Sequence, residues 1–191
     1  MNKKEILGII KTTAILTVIC VVITAALAVT NKFTKDRIDE LSVANQQEAM
    51  QRIIKADEYK KGKVNYKGEE TEFNVAVAQG ETKGFIFTLN AKGYGGDVAV
   101  MTGIDTNGTV IAVEVTDAAN ETPGLGQNVA KEDFYNQYKG KTENIEVVKN
   151  GASGNQIQAV TGATISSNAV TEAVNESIEI YKTIEQSGGI G

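Results

Sequence analysis

No charged side chain interrupts Thr12 to Thr30, a run dominated by Ala, Ile, Leu and Val. At a rise of about 1.5 Å per residue in a helix, the run just spans a hydrocarbon core of roughly 30 Å. Residues 12–30 are therefore expected to form a transmembrane helix. A cleaved secretory signal competes with this reading, because Lys3 and Lys4 precede the run and Ala26-Leu27-Ala28 looks like a cleavage site. The run is longer than the apolar core of such a signal, so a retained anchor is the expectation. Lys3, Lys4 and Lys11 on one flank balance Lys32, Lys35 and Arg37 on the other, and basic residues alone do not set the orientation. Cys20 lies inside the run, where its expected role is packing. Phe33, Ile38, Leu41, Ala44, Ala49, Ile53 and Ile54 continue at roughly helical spacing, which predicts a helical stalk over residues 31–58.

The 191 residues leave room for this anchor and one folded domain, placed at residues 59–186, with 187–191 as a flexible tail. The net charge of -5, without a cluster of Lys and Arg, argues against nucleic acid as a partner. The chain has no His and a single Cys. That excludes Ser-His-Asp hydrolysis, His-ligated zinc, disulfides within the chain and Cys-ligated iron–sulfur clusters. Redox chemistry in such a chain requires an organic cofactor.

Beyond Tyr59 short apolar runs alternate with Gly and Asn, which reads as strands joined by turns. Strands are predicted at Glu72–Gln79, Lys83–Asn90, Asp97–Ile104 and Thr109–Asp117. Asp105-Thr106-Asn107-Gly108 joins the last two as a tight antiparallel hairpin; the ligands of an EF-hand do not follow at the required spacing. A short helix is expected over Lys131–Tyr138, strands at Ile145–Lys149 and Ile157–Val160, and a C-terminal helix with Val170, Val174, Ile178 and Tyr181 on its inner face. Hairpins with helices at the ends indicate an α+β domain. No G-x-G-x-x-G string supports a Rossmann fold.

The chemistry-bearing string is Thr161-Gly162-Ala163-Thr164-Ile165-Ser166, between a predicted strand and the C-terminal helix. Small residues at a helix start suit a phosphate, because free amides and the helix dipole point at it. Thr164 and Ser166 offer hydroxyls there as donors or attachment points. On residue chemistry alone, a Thr-rich turn capping the helix is the more common origin of such a string. Pro123 fixes a turn in Glu121-Thr122-Pro123-Gly124-Leu125-Gly126, where Gly124 and Gly126 let the backbone approach a flat ring and Leu125 offers apolar contact. Lys92-Gly93-Tyr94-Gly95-Gly96 is a further Gly-rich string. Asp97, Asp117 and Glu121 are read as solvated carboxylates with no acid–base role.

These three strings, in this order behind one apolar span, resemble the covalent FMN-binding domain family. The resemblance covers nearly the whole chain and implies an antiparallel-sheet FMN-binding domain with a C-terminal helix. It implies FMN joined by a phosphoester bond to Thr164, with Thr161, Gly162, Ala163 and Ser166 around the phosphate. Glu121, Thr122, Leu125 and Gly126, with Tyr94 and Gly95, would line the ring, Thr122 and Leu125 flanking it. A separate flavin transferase using FAD and Mg2+ would make the bond. Three positions before Thr161, where the family commonly has an acidic residue, this chain has Gln158. Within the family, length and single anchor most resemble the G subunit of the ion-translocating ferredoxin:NAD+ oxidoreductase (Rnf) complex; the related C subunit of the sodium-translocating NADH:quinone reductase is usually longer. The implied protein is an electron relay among other membrane subunits, with residues 1–11 cytoplasmic and the flavin domain outside the bacterial inner membrane. A stand-alone membrane-anchored flavoprotein and a non-redox anion-binding module are the alternative readings.

Overall fold

The computed structural model describes residues 3–188, which form two compact units divided between Asn45 and Gln46. Helix α1 (Lys3–Ile53) begins in the first unit. Within it, Thr13–Asn31 has a mean hydropathy of 2.5 and is long and apolar enough to cross a membrane. Side chains of residues 13–31 all face outward, the free thiol of Cys20 among them rather than packed against the chain. Thr17 donates its hydroxyl to the carbonyl of Thr13 and Thr30 to that of Ala26. Bonding back to the preceding turn lets a hydroxyl sit on an apolar surface without an unmet donor.

The second unit is built on a five-stranded antiparallel sheet in the order of the chain: β1 (Glu58–Tyr66), β2 (Glu69–Ala78), β3 (Glu81–Lys92), β4 (Asp97–Ile104) and β5 (Val110–Asp117). The α+β fold read from the sequence is the one present. The predicted strand at 97–104 has those bounds, and its hairpin partner starts one residue later than predicted. In the turn between them Asp105 Oδ1 accepts the amides of Asn107 (2.8 Å) and Thr109 (2.9 Å), and the positive φ falls on Gly108. Strand β1 was not predicted. Lys60, Lys61 and Lys63 interrupt its pattern, as is common on an edge strand that must not pair with another chain. It joins β2 through Lys67 and Gly68, both at positive φ, the geometry of a tight hairpin.

Alternate side chains send the sheet's two faces into separate apolar clusters. On one face Ala76, Ile86 and Met101 meet Ala49, Met50, Ile53 and Ile54 at the end of α1. A Cβ on Gly84 would overlap the Ile104 carbonyl oxygen and lie 2.9 Å from Ile54 Cδ1, and one on Gly103 would overlap Ile53, so Gly103 makes room for Ile53, and Gly84 for the neighbouring strand's backbone as well as Ile54. On the other face Phe85, Phe87, Val100 and Val113 meet α3 (Thr164–Gln186) through Val170, Val174, Ile178 and Tyr181, the predicted inner face. The predicted helix over 131–138 is one α-turn, α2 (Glu132–Tyr135), continued by a 3-10 turn, Asn136–Tyr138. Strands β6 (Glu146–Val148) and β7 (Gln156–Gln158) form a small parallel pair beside the main sheet. After α3, the amide of Ser187 bonds back to Thr183 and Gly188 takes a positive φ, a regular helix end. The rest of the predicted tail lies outside the described residues.

A candidate flavin-anchoring site at the start of α3

Two tight turns face each other at this end of the domain. In Val160-Thr161-Gly162-Ala163 the amide of Ala163 bonds to the carbonyl of Val160 at 2.9 Å, with Gly162 at φ 76°. In Thr122-Pro123-Gly124-Leu125 the amide of Leu125 bonds to the carbonyl of Thr122 at 3.1 Å, with Gly124 at φ 72°. Glycine third with a positive φ is the type II turn, and proline second fits it. The turns touch: a Cβ on Gly162 would lie 2.9 Å from Leu125 Cδ1.

Helix α3 starts at Thr164 with Ala163 as N-cap and no side-chain cap. The string is therefore not a Thr-capped helix start. Ser167, outside the predicted set, secures the turn: its hydroxyl donates to the Ala163 carbonyl (2.9 Å) and accepts the Val160 amide (3.0 Å). Ser167 also has the first amide bonded within this turn, to Ala163 at 3.0 Å, so those of Thr164, Ile165 and Ser166 are the free donors of a helix N-terminus.

The hydroxyls at this end differ in what they can do. Thr164 is exposed and its hydroxyl has no hydrogen-bond partner among the described residues. Thr161, in the turn before the helix, is also exposed and unbonded. Ser166 is 1% exposed and donates its hydroxyl to Glu121, so it does not offer the outward donor expected of it. Glu121 is the other correction. Read as a solvated carboxylate, it is 1% exposed, and besides Ser166 it accepts the amide of Gly95 at 3.0 Å. The Gly-rich loop, the Pro-Gly turn and the helix start thus meet at one buried carboxylate. A Cβ on Gly126 would lie 2.5 Å from Glu121 Oε2 and 2.9 Å from Ser166 Oγ, and Gly95 and Gly96 pack too closely on Asn120 to carry a side chain.

Of the remaining predicted residues, Thr122 and Gly95 are exposed and Ala163 is buried. Tyr94 and Leu125 are 71% and 40% exposed. Ile165, absent from the predicted set, is 52% exposed. Outside α1 these three are the only exposed large hydrophobic side chains among the described residues, and each belongs to one of the three motif strings. Gln158 has an exposed side chain, but its backbone is held: its amide donates to Gln137 Oε1 at 2.7 Å, and Gln137 Nε2 donates to its carbonyl at 3.2 Å. An open groove of about 400 Å³ runs between Lys131, Gln137 and Gln158–Val160, next to the turn that leads into Thr164. The arrangement fits a phosphate at α3, with a free hydroxyl and free amides, and a flat apolar ring over exposed Leu125 and Ile165. Asp97 and Asp117 are exposed carboxylates.

Residues 93–179 match the FMN-binding domain family, and residues 1–53 match the RnfG N-terminal region. The chain is 35% identical to the G subunit of the Na(+)-translocating ferredoxin:NAD(+) oxidoreductase complex of Acetobacterium woodii, over 90% of this chain and 91% of that one. It is 34% identical to the G subunit of the proton-translocating ferredoxin:NAD(+) oxidoreductase complex of Clostridium ljungdahlii, over 88% and 89% of the two chains. NqrC of Shewanella oneidensis has the same fold, with a TM-score of 0.52 at 20% identity over 59% of this chain and 57% of that one.

Proposed function

We propose, on the premise that this chain belongs to the family of G subunits of ion-translocating ferredoxin:NAD+ oxidoreductase (Rnf) complexes, that Thr164 Oγ1 is the point at which its FMN is attached. The protein is an FMN-carrying electron-transfer subunit of such a complex, anchored in a membrane, and its partners are the other subunits. The stand-alone and non-redox readings of the same motifs lack that support.

The observation that carries the attachment is the state of the hydroxyls at α3. Ser166, Ser167 and Thr171 are all buried and bonded, whereas Thr164 is exposed, unbonded and followed by free amides. Those amides and the positive end of the helix dipole suit a phosphate diester carrying one negative charge. Attachment would follow the family's route, through a flavin transferase using FAD and Mg2+. Thr164 Oγ1 would take the FMN phosphoryl group from FAD in place of AMP, which leaves, and would give up its hydroxyl proton to a base or solvent. Glycine at 162 and 124 keeps the two turns free of side chains, and Leu125 and Ile165 offer the ring an apolar seat. When bound, FMN supplies one- and two-electron transfer, chemistry that no side chain of this chain provides. In this reading the domain lies on the extracytoplasmic side, where a tether prevents loss of a flavin that would not be rebound.

The full-length chain, produced with a flavin transferase and run on a denaturing gel, tests the assignment. The wild type and Thr161→Ala are expected to give a flavin-fluorescent protein band, and Thr164→Ala a dark one. A fluorescent Thr164→Ala band overturns the assignment.

A further inference from the structure

We propose that Glu121 is the positioning residue of this site, holding the first turn of α3 so that Thr164 is presented outward. The inference rests on the reading of Thr164 as the attachment point. A carboxylate buried without a cation is unfavourable unless hydrogen bonds replace its water. Glu121 is 1% exposed, and its hydrogen-bond partners among the described residues are Gly95 N–H and the Ser166 hydroxyl rather than Lys or Arg. These two bonds join segments far apart in the chain, with Glu121 26 positions from Gly95 and 45 from Ser166.

The link to Thr164 is geometric. Successive residues of a helix are about 100° apart around its axis, so a Ser166 tied inward turns Thr164 roughly 200° away, towards solvent. Without a side-chain cap at Ala163, the bonds of Ser166 and Ser167 hold the helix start. Gly126 completes the seat, since a Cβ there would meet both Glu121 and Ser166. Glu121 therefore acts through Ser166 and the glycine loop, and it need not touch the flavin itself.

The full-length wild type, Glu121→Ala, Glu121→Gln and Ser166→Ala are each produced with the flavin transferase. Three quantities are measured: the rate of flavin incorporation, far-ultraviolet circular dichroism, and the fluorescence anisotropy of the attached flavin. Folded Glu121→Ala and Ser166→Ala are expected to incorporate flavin roughly tenfold or more slowly, because small misplacements of a reacting group are costly in rate. Their attached flavin is expected to show lower anisotropy, which a loss of stability alone would not cause in folded protein. Glutamine keeps one acceptor for Gly95 and turns an amide donor towards Ser166, so Glu121→Gln is expected to stay within about twofold of wild type in rate and to keep its anisotropy. If Glu121→Ala does not fold, Ser166→Ala, which removes one hydroxyl, decides in its place. Folded variants with wild-type rate and anisotropy overturn the role of Glu121 alone. A dark wild-type band overturns the Thr164 reading and this proposal with it.

Discussion

Leu125 lies over Gly162, with Cδ1 2.9 Å from the point where a Cβ on that glycine would stand. Gly162 also has φ 76°, a conformation that costs other residues about 1 kcal/mol or more. Gly162→Ala thus meets two penalties, one in the backbone and one against Leu125. The expected outcome is a loss of roughly 1–3 kcal/mol in denaturant unfolding and reduced flavin incorporation at Thr164. Adding Leu125→Ala to Gly162→Ala is expected to relieve the contact but not the backbone strain. A Gly162→Ala protein with unchanged stability would show that the turn relaxes freely.

At the end of α1, an ion pair and an apolar contact hold the same turn to the sheet, and their magnitudes differ. Arg52 reaches Glu114 with Nε to Oε2 at 3.0 Å and Nη2 to Oε1 at 2.5 Å, but its side chain is 51% exposed. Such pairs contribute about 0.2–1 kcal/mol. Ile54 is 7% exposed, packed with Ile86 and Met101, and its truncation to Ala is expected to cost about 2–5 kcal/mol. Chemical unfolding of Arg52→Ala and Ile54→Ala should therefore rank the isoleucine well ahead, and only the arginine variant should lose its effect in high salt.

Thr102 is fully buried in β4, paired across the sheet with Phe87 and Val113, and its hydroxyl has no partner among the described residues. A buried hydroxyl without a hydrogen bond costs about 1–3 kcal/mol. Thr102→Val keeps the shape and removes the polar atom, so it is expected to raise stability by about 1 kcal/mol. A destabilised variant in urea unfolding would mean that the hydroxyl is satisfied in solution.

Much of the scaffold was legible in the sequence because its signals are local. The uncharged run over 12–30 needed only composition and length, and the helix contains it. Strands at 97–104 and 110–117 were readable from apolar runs bounded by Asp105-Thr106-Asn107-Gly108, which carries its own turn chemistry. Val170, Val174, Ile178 and Tyr181 marked the inner face of α3 by period alone. Strand β1 escaped because Lys60, Lys61 and Lys63 hide its pattern, and because its pairing is supplied by β2 rather than by its own residues.

Glu121 and Ser166 mark the boundary between the two kinds of information. Sequence alone marked a turn at Pro123-Gly124, a helix beginning beside the Thr161–Ser166 string and a hydroxyl at Thr164 suited to a phosphate, since each follows from neighbours within a few positions. Only the tertiary structure decided that Ser166 faces inward, that Thr164 faces out, and that Glu121 is buried between Gly95 and Ser166. The physical reason is that a carboxylate can leave water only where donors are already waiting, and here those donors come from distant parts of the chain.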